Sequence, residues 1–170
     1  MRQGAVNGVP LSAMMTVAML LMMYADRLGV LGMLAPIAMF GVPAVSFLLL
    51  RRDYIATKGE MTWGAVWLDG CLSYILGSVI AGAVMYVVWR WIDPTWMAVR
   101  IEESIDLLKA SQDAEMVKLA ADMRTAVDSG LDFSARSLTP AFIWLAAFSG
   151  SILSLIFAPI VKTTTRITKP

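Results

Sequence analysis

Histidine is missing from this 170-residue chain, and cysteine occurs once. The first absence removes the commonest general base at neutral pH and a common metal ligand. The second leaves no disulfide within the chain and no thiolate metal site, because Cys71 stands alone in an apolar run. Charge is also scarce: Asp, Glu, Lys and Arg make up 16% of residues, against roughly a quarter in an ordinary globular domain. The net charge of +1 gives no reason to expect nucleic acid, which calls for a clustered basic surface. No phosphate-cradling loop leads into a Lys, and "GAVNG" at 4–8 lacks that context. The expectation is a protein that is not an enzyme and holds no metal or cofactor.

Apolar residues fill the space that charge leaves. They reach 58% of the chain, and the mean hydropathy of +0.69 is that of a membrane protein. The length suits one integral membrane domain, 1–170. Four windows carry no charge: Gln3 to Ala25, Leu28 to Leu50, Gly70 to Trp89 and Ser137 to Val161. Each is about the 20 residues that a helix needs to cross the hydrocarbon layer. The runs are continuous rather than alternating, and lipid offers the backbone no hydrogen-bond partners, so helices are the expected spanning structure. The expected spans are 4–25, 28–50, 64–90 and 139–161. The first could be mistaken for a secretory signal, but Met23-Tyr24-Ala25 lacks the small-residue cleavage pattern, and it is read as a retained helix.

Lys and Arg orient the chain. Arg2, the short "RRDYIATKGE" segment with Arg51, Arg52 and Lys58, and the tail with Lys162, Arg166 and Lys169 would share one side. The positive-inside rule makes that side cytoplasmic, with both termini in. The other side receives the Asp26-Arg27 turn and the long segment 93–136, in which acids outnumber bases.

At "VVWRWIDPTWMAVRIEES", residues 87–104, the apolar run gives way to charge. Trp89 and Trp91 suit the interfacial aromatic belt, and Asp93 and Pro94 suit a helix exit followed at once by the cap and first turn of a new helix. Beyond them Met97, Ile101, Ile105 and Leu108 share one helical face, and Met116, Leu119, Met123 and Val127 share another. The break at Ser111 makes the segment a candidate amphipathic hairpin. Its stripes can pack on each other, lie on the membrane surface or dock a partner. Thr139 and Pro140 read as the cap and first turn of the last span.

Within the spans, small residues recur at intervals of four: Gly77 with Ala81, Ser78 with Gly82, and Ala146 with Gly150 and Ser154. Such faces let helix backbones approach closely, which predicts that the third and fourth spans are neighbours or form an interface between copies. Pro36 and Pro43 predict kinks in the second span, because proline removes an intrahelical hydrogen bond. Asp69 is the one acid placed to lie within the hydrocarbon, which marks it as a candidate intramembrane ion site. The competing readings are an interfacial, solvated carboxylate below Trp63 and Trp67, or helix pairing to an amide such as Asn7. The thirteen Met residues read as packing, and Glu102 and Glu103 as a solvated face.

The run "MTWGAVWLDGCLSYILGSVIAGAVMYVVWRWIDPTWM", with its acid-proline exit, the charged helical segment after it and a final span, resembles a family of small four-helix inner-membrane proteins from Bacteroidota, domain of unknown function 4199. The resemblance covers most of the chain and rests chiefly on Ile92-Asp93-Pro94 with Trp96-Met97. It implies topology and a bacterial inner-membrane location, and it allows association with envelope machinery such as a membrane glycosyltransferase. The expected fold is an all-α membrane protein: four transmembrane helices with an extramembrane amphipathic helical hairpin between the third and fourth. The expected function is a non-enzymatic scaffold or accessory subunit of a cell-envelope complex, bound to the bilayer and to a membrane partner or its own copies. The alternative is a small oligomeric transporter or channel with Asp69 as a proton or cation site.

Overall fold

The computed structural model describes residues 2–25, 27, 29–130 and 132–165. Asp26, Leu28, Arg166, Lys169 and the side chain of Arg2, which entered the charge reading, lie outside the described residues. Among those described the chain is all helical: α1 (Arg2–Met23), α2 (Leu34–Ala56), α3 (Trp63–Val87), α4 (Trp96–Lys109), α5 (Ala114–Asp128) and α6 (Ala135–Thr164). Four helical stretches, Gln3–Met23, Leu34–Ala56, Trp63–Ile92 and Ala135–Thr164, are long and apolar enough to cross a bilayer, and the chain is a membrane protein.

Several boundaries differ from those read in the sequence. A short 3₁₀ helix, Gly29–Met33, precedes α2. Helix α2 starts at Leu34 and runs through Arg51, Arg52 and Asp53 to Ala56, so the expected loop shrinks to the residues after it. A helix satisfies its own backbone whether or not its side chains are charged, so the end of an apolar window does not end the helix. Pro36 is not a kink. It lies in the first turn of α2, where no N–H donor is required, while Pro43 lies inside the helix.

The exit from α3 also departs from expectation. The last turn, Val88–Ile92, widens so that the Asp93 N–H donates to the Val88 carbonyl at 2.9 Å. Asp93 thus closes this helix, and α4 begins beyond Pro94, after Thr95, whose side chain makes no cap bond. Helix α6 begins at Ala135, not near Pro140, which leaves Thr139 inside it. The start is organised upstream: the Asp132 carboxylate accepts from the Ser134 N–H and hydroxyl, each at 2.8 Å. These two bonds hold the Asp132 carboxyl below the usual carboxylate range.

The chain divides into two compact units, Met1–Val84 with Ala141–Pro170, and Met85–Pro140. In the first, Leu11 and Met15 of α1, Tyr74 and Ala81 of α3, Val42 and Val45 of α2 and Phe142, Ala146 and Leu153 of α6 form one apolar cluster. A second cluster joins Leu50 and Tyr54 of α2, Val66 of α3 and Ala158 and Val161 of α6. Beside the first cluster lies an apolar crevice of about 400 Å³ lined by Met15, Met39, Pro43, Tyr74, Phe142 and Leu153, among others.

In the second unit α4 and α5 pack together. Ile105 and Ala120 are fully buried, and Arg124 reaches Glu102 across the pair at 2.6 Å. Asp113 caps α5 by accepting from the Glu115 N–H at 2.9 Å. Gly130, two residues past the end of α5, has φ +92°, a backbone that glycine adopts at no steric cost.

Candidate functional site

Lipid gives no hydrophobic drive for helix association, so contacts in the first unit depend on small residues and polar ties. Gly4, Asn7, Gly8 and Leu11 lie at spacings of three, one and three, and so fall on one side of α1. A Cβ on Gly4 would stand 2.7 Å from the Asp69 carbonyl and 2.8 Å from its Oδ1, and one on Gly8 would stand 2.9 Å from Leu76 Cβ. The two glycines thus let α1 lie directly on α3. Gly77 belongs to this contact as well: its nearest atoms are in Gly8 and Leu11 of α1, not in α6.

Different positions bring α3 against α6. A Cβ on Gly150 would overlap the Tyr74 ring, and one on Gly70 would overlap Ser154. The Trp67 indole N–H donates to the Ser151 carbonyl at 3.3 Å. Gly150 and Ser154 therefore do face α3, through Tyr74 and Gly70, whereas Gly77 meets α1. Ala146 packs beside Tyr74 and Ala81, and Gly82 is buried. The Ser78 and Ser154 hydroxyls donate to carbonyls of their own helices, Ile75 at 2.9 Å and Gly150 at 2.8 Å.

Where α1, α2 and α3 meet, the structure gathers a polar cluster. Asp69 is 3% exposed, so its carboxyl is enclosed by protein groups rather than open to solvent. Its carboxyl lies within hydrogen-bonding reach of the Asp53 carboxyl of α2 and accepts from the backbone N–H of Gly4. Asp53 is equally buried, and its Oδ2 accepts a close hydrogen bond from the Asn7 side-chain amide. Asn7 Oδ1 in turn accepts from the Arg52 guanidinium at 2.6 Å, and Arg52 Nε stands 3.3 Å from Asp53 Oδ1. The Ser73 hydroxyl donates to the Gly4 carbonyl at 3.0 Å and to the Asp69 carbonyl at 2.8 Å. One atom is left over: Asp69 Oδ2 is buried with no hydrogen-bond partner.

Burial of this kind is sustained only when most polar atoms find partners. Two carboxyl groups and one guanidinium are gathered here, and that guanidinium extends outward, its side chain 62% exposed. An apolar-flanked Arg commonly runs its stem along the protein and leaves its head in the polar layer. Trp63 and Trp67, stacked at 6.0 Å, precede Asp69 on α3, as interfacial aromatics do.

Sequence reading singled out Asp69 and mentioned Asn7, but it missed Asp53 and Arg52 by assigning them to a loop. A signal was present: Ser46, Leu50 and Asp53 lie at spacings of four and three, on one face of a helix continued past the apolar window. All three are buried. Asp93, Pro94 and Pro36 lie apart from this cluster in sequence and take the structural parts described above.

An all-helical membrane protein with a buried, paired-acid polar cluster at the junction of three of its helices is the class that these elements define. The chain matches the family model described as "Protein of unknown function (DUF4199)" over residues 2–163, and it belongs to that family. No curated protein and no solved structure matches it.

Proposed function

We propose that this protein is a non-enzymatic scaffold or accessory subunit of the bacterial inner membrane. In this reading both termini are cytoplasmic and α4 with α5 stands on the extracytoplasmic side. The observation that carries it is the apolar surface that α4 and α5 leave unpaired. Ile105 and Ala120 are buried, but Met116, Val117 and Leu119 are exposed, and Leu107 is 75% exposed. A hairpin that only packed on itself would hide more of this surface. The acidic bias of the segment disfavours simple adhesion to anionic lipid, which attracts Lys and Arg. The partner class is a membrane protein of the cell envelope, a glycosyltransferase being one such, or further copies of this chain.

Gentle extraction from the native membrane, followed by mass spectrometry and a native mass of the complex, tests the reading. A stoichiometric partner that is lost when Leu107 and Leu119 are both changed to Glu supports it. A monomer with no partner, unchanged by those substitutions, sinks it.

A second reading is favoured by the unpartnered Asp69 Oδ2: a small oligomeric transporter or channel with Asp69 in the ion path. Proton or cation flux into liposomes should then disappear in Asp69→Asn. Wild-type liposomes without flux, or flux indifferent to that change, would remove this reading.

A further inference from the structure

We propose that Asp53 and Asp69 form one proton-binding site, in which a single exchangeable proton is held between the two carboxyl groups. The site stands whether or not the protein moves ions, and its test is separate from the flux assay.

The hydrogen-bond inventory leads to a proton. Asp53 is held by the Asn7 amide on Oδ2 and faced by Arg52 Nε at Oδ1, while Gly4 N–H serves Asp69. Among the described residues, the charged groups facing the pair are Arg52 and the two carboxyls themselves. The two acids face each other away from water. Like charges at that range in a poorly polarisable setting do not both persist. A proton on Asp69 Oδ2 turns the repulsion into an O–H donating to an Asp53 oxygen, which is among the stronger hydrogen bonds. It also satisfies Asp69 Oδ2, the oxygen of this cluster that is buried without a partner.

A metal ion fits less well, because hard cations take about six or more oxygens. Asn7 Oδ1 is already engaged by Arg52, and the Ser73 hydroxyl is turned to backbone carbonyls. Among the described residues no group of three or more His, Cys, Asp or Glu is placed to hold a metal. Exchange proceeds at the exposed Arg52 side: water delivers the proton to Asp69 Oδ2, and on release the proton returns to water and leaves the second negative charge behind.

The full chain reconstituted in phosphatidylcholine vesicles, followed by infrared spectroscopy across a pH series, tests the site. The expected result is a protonated-carboxyl signal that persists to a pH at which exposed aspartates such as Asp132 are already ionised. It should be lost in both Asp53→Asn and Asp69→Asn, and be indifferent to exchanging sodium for choline. Survival of the signal in either variant overturns the proposal. So does its displacement by sodium, which would assign the site to a metal cation instead. If a variant loses its helical circular dichroism, the wild-type chain decides alone: no protonated carboxyl at a pH where exposed aspartates are ionised overturns the site.

Discussion

Gly150 shows how little space separates α6 from α3. A methyl group there meets the ring of Tyr74, a buried side chain. Gly150→Leu is expected to destabilise the folded chain by at least about 1–3 kcal/mol, the usual cost of overfilling a packed contact. Thermal unfolding in mild detergent measures it, with Gly64→Ala as the control, because a Cβ at Gly64 meets nothing within 4 Å. A control that falls as far as Gly150→Leu would remove the packing argument. Asn7 makes a different contribution. Its amide serves Asp53 and its carbonyl serves Arg52, so Asn7→Ala strips a buried carboxyl of a donor and removes one of the acceptors of the Arg52 guanidinium. A loss of about 1–3 kcal/mol follows from leaving buried polar groups unpaired. The same unfolding measurement should show Asn7→Ala to be worse than Val6→Ala, since Val6 is exposed on the same helix.

Helices α4 and α5 hold their pairing by a small apolar seam and ion pairs that face water. Glu102 and Arg124 are both about half exposed, so their 2.6 Å contact is screened and contributes little. A double-mutant cycle on Glu102→Ala and Arg124→Ala should give a coupling below about 1 kcal/mol that shrinks with added salt. A larger, salt-independent coupling would contradict this. The start of α6 is pH-sensitive in a defined direction. Hydrogen bonds from Ser134 depress the Asp132 carboxyl in the folded state, so the stability it contributes is present above its unfolded value. That contribution is lost as pH falls through the folded value. A titration of Asp132 by nuclear magnetic resonance should show a midpoint below that of an ordinary aspartate, moving back up in Ser134→Ala. An unmoved midpoint would break the assignment.

The proposed topology, with four crossings, puts successive loops on alternate sides of the bilayer. Single cysteines at Lys58 and at Ser111, introduced with Cys71→Ser, should therefore react with an impermeant maleimide from opposite sides of sealed vesicles, Lys58 from the cytoplasmic side. Labelling of both from one side would overturn the arrangement. Within the bundle, α1, α2 and α3 are tied by the polar cluster of Asn7, Asp53 and Asp69, and α2, α3 and α6 by the apolar cluster around Leu50 and Val66. The two ties differ in physical kind: one depends on every polar atom finding a partner, the other on packing volume alone.

The four helices long and apolar enough to span a membrane were legible in the sequence because hydropathy is a local, additive property of some twenty consecutive residues. Helix type followed from the backbone's need for internal hydrogen bonds in lipid. The ends of the helices were less legible, since charge interrupts hydropathy without interrupting a helix, and Arg52 and Asp53 were lost to a presumed loop for that reason. Small residues at intervals of four announced close packing, but not which neighbour each would meet. Gly77 turned to α1, and Gly150 found Tyr74. What only the tertiary structure decided is the meeting of Asn7, Asp53 and Asp69, which come from three different helices. Each helix carries its polar residue at a position that sequence fixes only along its own axis. Which residues face each other depends on how the helices rotate and slide together, and that is set by the glycine contacts and side-chain volumes of the whole bundle at once.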